Sequence, residues 1–167
     1  MSAVKTIPVK EVKLTAHTAA DLMTRSPLSL RDDVPLKEAI AFLVDRDVSG
    51  AAVIDEAGRP VGVLTQTDVL IHDREQVEHV NPPDDEYRDP LPRSWWERFQ
   101  VERVDLTPVR DVMTPAVFCV ALDAPVWEVI SLLRELNVHR LFVVDEDGVL
   151  VGVITVMDVL RHLAPAV

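Results

Sequence analysis

The apolar positions of the chain follow two spacings, one typical of helices and one typical of strands. Over residues 35–46 apolar side chains recur at i, i+3, i+4 and i+7, which predicts an amphipathic helix that Asp33 can cap. Two short apolar runs, 51–55 and 60–65, flank a Glu-Ala-Gly-Arg turn and predict a β-hairpin. The other elements predicted here are a helical turn at 20–24, an extended stretch at 27–30 and a second helix from Asp68 onward.

This order of elements occurs twice. When the chain is aligned with itself at an offset of 90 positions, residues 20–72 and 110–162 share 21 identities in 53 positions without a gap. The second copy therefore predicts helices at 125–136 and 156–163 and strands at 141–145 and 150–154. Each copy is a β-α-β-β-α motif too small to bury a large core alone, so we predict an α+β fold in which the two copies pack as a pseudo-twofold pair.

The repeats divide the chain into four predicted segments. These are an N-terminal strand or tether (1–14), the first repeat (15–72), an inter-repeat stretch (73–106) and the second repeat (107–165). Within the inter-repeat stretch, prolines and acidic residues over 78–92 predict an irregular loop. Residues 94–103 begin with a Ser-x-x-Glu capping box and predict a short helix with two tryptophans, interpreted as a lid or as a partner surface.

Composition narrows the classes of partner. The chain has 17 basic and 28 acidic residues and a formal net charge of −11, which disfavours binding to DNA or RNA. The single cysteine, Cys119, has apolar neighbours, so we expect it to be a buried small hydrophobe in a reducing, cytoplasmic compartment. No apolar stretch reaches the roughly 20 residues that span a bilayer, so we expect no membrane partner.

The candidate chemistry lies in a Thr-x-x-Asp pattern that follows a Val-Gly-Val strand in both repeats. The pairs are Thr65 with Asp68, and Thr155 with Asp158. One interpretation is an ordinary helix cap. The other is a nucleotide site, because an ionised aspartate can accept both ribose hydroxyls, whereas the threonine hydroxyl and backbone N–H groups at a helix N-terminus can hold phosphate oxygens. Both copies keep the threonine and the aspartate while the two residues between them differ, which favours the second interpretation.

The second repeat alone carries a His-Arg pair. His139 and Arg140 precede its first hairpin strand, where the first repeat has Ser49 and Gly50. An arginine at that point can make a forked contact to phosphate, although a solvated surface arginine and a structural histidine are the simpler interpretations. If phosphates bind, we expect the second repeat to be the better equipped one.

Taken together, these motifs resemble the tandem CBS-domain pair, also called a Bateman module. The resemblance is carried by Met-Thr at the start of each repeat, Asp-x-Pro before the first helix, Val-Val-Asp-Glu-x-Gly in the hairpin, and Val-Gly-Val-Ile-Thr-x-x-Asp-Val-Leu at the end. It covers about 20–72 and 107–162, and the string over 139–146 is similar to CBS units that bind adenine nucleotides. The long inter-repeat stretch departs from the family's usual pattern.

The resemblance implies two ligand sites, each completed by the start of the opposite repeat. In such pairs the aspartate holds ribose, the threonine and the arginine approach phosphate, and the opposite repeat contacts the base. The first implied site comprises Thr155, Asp158, His139 and Arg140 with Thr24 and a strand of Ser26, Pro27 and Leu28. The second comprises Thr65 and Asp68 with Thr114 and a strand of Ala116 and Val117.

Three functions follow as alternatives. The leading one is a regulatory sensor that binds AMP, ADP, ATP or S-adenosylmethionine, with magnesium accompanying a polyphosphate, and that forms a homodimer and acts on a partner protein. The second is a ligand-free dimerisation scaffold in which both Thr-x-x-Asp motifs are caps. An enzyme is the third and least favoured, because the sequence has no phosphate-loop glycines, no nucleophile beside a base and no metal-ligand cluster, so we expect no catalytic residues, catalytic cofactor or metal.

Overall fold

A computed structural model describes residues 11–78 and 106–165, with side chains described up to residue 75 in the first range. In chain order the elements are β1 Val12–Leu14, α1 Ala19–Leu22, β2 Thr24–Arg25, β3 Ser29–Arg31, α2 Leu36–Asp45, β4 Gly50–Ile54, β5 Pro60–Thr65, α3 Gln66–Glu78, a 3-10 turn Val109–Asp111, β6 Cys119–Ala121, α4 Val126–Glu135, β7 Arg140–Val144, β8 Leu150–Thr155, α5 Val156–Arg161 and β9 Leu163–Pro165. The α+β class with two repeated motifs is thereby confirmed.

The described residues form two compact units, and each unit mixes the repeats. The Asp158 unit contains residues 11–27, 56–60 and 117–165. The Asp68 unit contains residues 28–55, 61–78 and 106–116. Each unit therefore joins the body of one repeat to the leading segment of the other, and each contains one Thr-x-x-Asp motif.

The Asp158 unit is built on a four-stranded sheet in the order β2-β8-β7-β6. Strands β6 and β7 are parallel, and the other neighbours are antiparallel. Helices α1 and α4 cover the sheet, and their apolar faces share a core with it. The most buried core residues are Ala19, Leu22, Val129, Leu141, Val143 and Ile154. A separate two-stranded ribbon pairs β1 with β9, so residues 12–14 of the predicted strand or tether do form a strand.

The Asp68 unit repeats this plan with a three-stranded sheet in the order β3-β4-β5. Its core contains Leu36, Ala39, Leu43, Val53, Leu64, Val69 and Val109, all almost fully buried. The leading segment of the second repeat joins this sheet at one point, where Thr114 and Val63 exchange two backbone hydrogen bonds of 3.0 Å. Thr24 occupies the matching position in the other unit, opposite Val153 of β8.

The apolar spacing predicted the helices within one or two residues, but the predicted cap of α2 is wrong. Helix α2 begins at Leu36, after Pro35, and Asp33 forms an ion pair of 3.1 Å with Arg31 instead of capping the helix. The first N–H group of α2 is satisfied by the backbone, because Leu36 donates to the Thr107 carbonyl at 2.8 Å. The predicted last helix, 156–163, ends at Arg161, since Leu163–Pro165 leaves it to pair with β1.

Three further predictions are wrong. Neither the Ser26-Pro27-Leu28 segment nor the Ala116-Val117 segment is a strand; both are irregular connections. Ser26 adopts a left-handed backbone with φ of 49°, which ends strand β2. Cys119 is exposed rather than buried, because β6 alternates and turns Val120, not its neighbours, toward the core. Nearby atoms still desolvate the thiol enough to raise the pKa of Cys119 above the ordinary value.

The predicted tryptophan helix at 94–103 lies outside the described residues, as do 79–92 of the predicted loop and residues 1–10. Over 11–78 and 106–165 no helix is both long and apolar enough to cross a membrane.

Candidate functional site

In the Thr-x-x-Asp motif of the Asp158 unit, the threonine and the aspartate are hydrogen-bonded to each other. The Thr155 hydroxyl donates to Asp158 Oδ2 at 2.6 Å, and the Thr155 backbone N–H donates to the same oxygen at 2.8 Å. The Asp158 N–H donates in return to Thr155 Oγ1 at 3.3 Å, which completes a capping box at the start of α5. The motif therefore has the geometry of a helix cap, and its hydrogen bonds hold the carboxylate in one orientation.

Asp158 is buried yet keeps one oxygen for an outside partner. Its side chain is only 8% exposed, and it is the one charged residue that is buried among the described residues. Oδ2 is satisfied by Thr155, whereas Oδ1 accepts from Arg161 Nη1 at 3.1 Å. The Arg161 side chain is 70% exposed, so this partner comes from the solvent side. A buried carboxylate with a replaceable outer partner suits recognition of a pair of hydroxyl donors.

The His-Arg pair lies beside this carboxylate motif. Arg140, the first residue of β7, is directly opposite Thr155, the last residue of β8. The His139 carbonyl accepts from the Val156 N–H at 3.3 Å, which ties the pair to the start of α5. Both side chains are exposed. The pairing thus places Arg140 at the same end of the sheet as the Thr155–Asp158 motif.

The leading segment of the first repeat runs along the same strand. Thr24 is opposite Val153, and the Ser26 N–H donates to the Val151 carbonyl at 3.1 Å. Thr24 and Ser26 are exposed, and Pro27 is half-buried. The structure therefore brings Thr24, Ser26 and Pro27 into the unit that contains Asp158, whereas Leu28 belongs to the Asp68 unit.

The Asp68 motif has the same internal geometry. Asp68 Oδ2 accepts from the Thr65 hydroxyl at 2.6 Å and from the Thr65 N–H at 2.7 Å. Its outer oxygen, Oδ1, accepts from the Thr114 hydroxyl at 2.9 Å, so the leading segment of the second repeat reaches the carboxylate directly. Ala116 is exposed in the same unit, and Val117 falls in the Asp158 unit.

A side chain at Gly50, the position equivalent to Arg140, would pack tightly against the Asp68 motif. A Cβ at Gly50 would lie 3.0 Å from the Leu64 carbonyl oxygen and 3.2 Å from Cγ2 of Thr65. A side chain at this position would therefore press on the motif's own threonine. The packing around Thr65 therefore disfavours a side chain at position 50.

A small depression of about 100 Å³ lies next to Asp68. It is lined by Asp68, Ile71, His72, Glu75, Asp111 and Val112. Its charged residues are mostly acidic, so it offers little to a phosphate. Over the described parts of the chain, no three His, Cys, Asp or Glu side chains are grouped so that they could hold a metal ion.

One carboxylate near the start of the Asp158 unit has a shifted pKa. Asp21 Oδ2 accepts from the backbone N–H groups of His17 at 2.9 Å and Thr18 at 3.0 Å. These bonds to the charged form, the His17 bond first, lower the pKa of Asp21 below its ordinary value of 3.8. The carboxylate therefore stays ionised and caps α1.

The sequence analysis did not assign the donors to the outer carboxylate oxygens. It placed Thr114 in the Asp68 site only through the family resemblance, and it passed over Arg161, although the i,i+3 spacing of Asp158 and Arg161 on a helix favours such an ion pair. It also missed why glycine recurs in the Val-Gly-Val strands: a Cβ at Gly152 would overlap Sδ of Met23, the methionine of the Met-Thr start. The shared Met-Thr and Val-Gly-Val signatures were the available signal.

Comparison with known proteins gives the family. The family model for the CBS domain matches residues 19–75 and 109–165. The chain belongs to the CBS-domain family. The resemblance stated from the sequence is confirmed, and the two matched ranges correspond to the two repeats. A CBS pair is thus the structural context of both carboxylate motifs.

Two similar proteins, CBSX2 and MgtE, illustrate the range of the family. The chain is 31% identical over 152 residues to the chloroplastic CBS domain-containing protein CBSX2 of Arabidopsis thaliana, covering 87% of this chain and 63% of that protein. The crystal structure of CBSX2 in complex with AMP matches with a TM-score of 0.62 and 26% identity, covering 87% of this chain and 95% of that one. The cytosolic domain of the Mg²⁺ channel MgtE in complex with ATP matches with a TM-score of 0.61 and 28% identity, covering 87% and 48%.

An enzyme is also among the relatives. The A-adding tRNA nucleotidyltransferase of Aquifex aeolicus is 29% identical over 152 residues, which are 91% of this chain but 15% of the enzyme. The chain therefore spans only a small part of that relative.

Proposed function

We propose that this CBS pair is a regulatory module that binds an adenosine nucleotide at the Asp158 motif. The observation that supports it best is a buried, singly oriented carboxylate, Asp158, with Arg140 at the same end of the sheet. The crystal structures of CBSX2 with AMP and of the MgtE domain with ATP support the choice of ligand class.

The residues of the proposed site have different roles. The ribose hydroxyls bind Oδ1 of Asp158, because Oδ2 already accepts two hydrogen bonds from Thr155. The Thr155 hydroxyl already donates its proton to that carboxylate, so it orients Asp158 rather than donating to phosphate. The phosphate is then left to Arg140 and His139, whose side chains are exposed beside the motif.

The rest of the proposed site follows the sequence analysis. Thr24, Ser26 and Pro27 complete the Asp158 site with contacts to the base. A second site consists of Thr65, Asp68, Thr114 and Ala116, and it lacks the His-Arg pair. We further propose that the module forms a homodimer in the cytoplasm, that it passes the binding signal to a partner protein, and that magnesium accompanies ATP.

The test is calorimetric titration of the protein with AMP, ADP, ATP and S-adenosylmethionine, with and without magnesium. Asp158→Ala should abolish binding at one site, whereas Glu146→Ala, which removes the same charge from an exposed turn residue, should leave it unchanged. Circular dichroism checks that both variants fold. Unchanged affinity in folded Asp158→Ala would show that the site is assigned wrongly.

A dimerisation scaffold is the second candidate, because the hydrogen bonds within both motifs are those of complete helix caps. This alternative predicts no heat of binding and no change in melting temperature with any of the four ligands. It also predicts that Asp158→Ala lowers stability without changing any interaction with small molecules. The same titrations therefore discriminate between the two candidates.

A further inference from the structure

The two carboxylate motifs differ in the group that occupies the outer oxygen. Oδ1 of Asp158 accepts from a guanidinium, that of Arg161, and Oδ1 of Asp68 accepts from a neutral hydroxyl, that of Thr114. The position equivalent to Arg161 in the first repeat is Ile71, which is 45% exposed and cannot donate a hydrogen bond. Arg161 thus adds a second positive charge, besides that of Arg140, next to a motif with the same internal hydrogen bonds.

We propose that Arg161 determines the ligand class of the Asp158 site by favouring phosphorylated adenosine ligands over the uncharged nucleoside. The proposal rests on the proposed function and adds a specificity-determining residue to it. Arg161 belongs to neither the Thr-x-x-Asp motif nor the His-Arg pair. It lies one helical turn after Asp158, and its side chain is free to move because 70% of it is exposed.

A ribose diol and the Arg161 guanidinium compete for Oδ1 of Asp158. Oδ2 already accepts two hydrogen bonds from Thr155, so a ribose diol must take Oδ1 and displace the guanidinium. The bond that is lost joins two charged groups, and such bonds are roughly twice as strong as those between neutral groups. An uncharged nucleoside therefore exchanges a charge-assisted bond for a neutral one, which weakens its binding.

A phosphate on the ribose can replace Asp158 as the anionic partner of Arg161. After displacement the guanidinium remains within a few ångströms of the bound ribose, because it is tethered one turn away on the same helix. A phosphate on that ribose gives it a new anionic partner, together with Arg140 and His139. The cost of breaking the ion pair is thus recovered for a nucleotide and not for a nucleoside.

The Asp68 motif provides the contrast within the same chain. Its outer oxygen is released by Thr114 at the cost of a single hydrogen bond from a neutral donor. Ile71 adds no positive charge there, and the adjacent depression is lined by Glu75 and Asp111. We therefore expect the Asp68 site to discriminate little between a nucleoside and a nucleotide, or to favour the nucleoside.

The experiment measures the ratio of the dissociation constants for adenosine and AMP. In an Asp68→Ala background only the Asp158 site titrates, and Arg161→Ile, which copies the first repeat, should lower this ratio by about two- to fivefold. Arg161→Lys keeps the charge and should retain most of the selectivity. The selectivity of the Arg161-containing protein should also decrease with added salt, whereas that of Arg161→Ile should depend less on salt.

The reciprocal variant is Ile71→Arg in an Asp158→Ala background, and it should raise the same ratio at the Asp68 site. An unchanged ratio in Arg161→Ile, or an equal loss of affinity for both ligands, would overturn the proposal and leave nucleotide binding intact. Absence of binding by the unmodified protein would instead overturn the proposed function, and this inference with it. The two failures are therefore distinguishable.

Discussion

The contact between Gly152 and Met23 leads to a sharp prediction about stability. Gly152 lies in the middle of β8 and is opposite Arg25 of β2, two residues after Met23. A methyl group at Gly152 would overlap Sδ of Met23 and lie 3.0 Å from both its Cβ and Cγ. The thioether end can rotate away, but the Cβ moves only if the backbone moves, and that backbone is held by the pairing of β2 with β8.

The Gly152→Ala substitution should therefore destabilise the protein. Added methyl groups in well-packed sites typically cost about 1–3 kcal/mol, and the close Cβ contact favours the middle of that range. We expect the free energy of unfolding to fall by about 2 kcal/mol. For a protein of this size, that loss corresponds to a decrease in melting temperature of about 4–8 °C. Urea denaturation followed by circular dichroism measures the first quantity, and a thermal scan measures the second.

A double-mutant cycle tests whether Met23 is the cause. In a Met23→Ala background the added methyl group has space, so Gly152→Ala should cost much less than it does alone. Gly62→Ala is the matched change in the other unit, where a Cβ would overlap Sδ of Met113 and lie 2.9 Å from the Thr114 carbonyl oxygen. The reasoning is refuted if Gly152→Ala is neutral, or if its cost is the same with and without Met23.

Three further predictions concern single residues. Thr155→Ala should reduce the free energy of unfolding by about 1 kcal/mol in denaturant titrations, because it removes the cap of α5, and Thr155→Ser should restore most of it. Asp21→Asn should be less stable than the parent protein above about pH 4, and the difference in urea midpoint should vanish as pH falls through the lowered pKa of Asp21, because protonation then removes the same charge. Cys119 should react with a thiol reagent at pH 8 more slowly than free cysteine does, because its raised pKa leaves less thiolate.

Each of these has a contrary outcome. An alanine at 155 that is as stable as threonine would mean that the hydrogen bonds of the capping box contribute nothing in solution. A constant gap between Asp21→Asn and the parent protein from pH 6 to pH 2 would mean that the Asp21 carboxylate is not stabilised by its two backbone donors. A Cys119 thiol that titrates at or below the ordinary value would contradict its desolvation.

The candidate site was predictable to the extent that it is repeated. Thr65, Asp68, Thr155 and Asp158 could be found from the self-alignment, and the internal hydrogen bonds of each pair follow from their three-residue spacing at a helix start. Arg140 could be singled out because the second repeat departs from the first there. The self-alignment could not find the partners of the outer oxygens, because they are not repeated: Thr114 lies 46 residues from Asp68, and the counterpart of Arg161 in the first repeat is Ile71.

The sequence by itself determined the local elements, since helix and strand periods depend on neighbouring residues: Leu36, Ala39 and Leu43 line the buried face of α2 as their spacing requires. Capping was decided by tertiary structure where a distant group competed, as when the Thr107 carbonyl replaced Asp33 at the start of α2. The tertiary structure also decided that the leading segment of each repeat packs with the body of the other repeat. A strand edge pairs with whichever segment satisfies its backbone and packs on its face, and that choice depends on contacts between residues that are far apart in the chain.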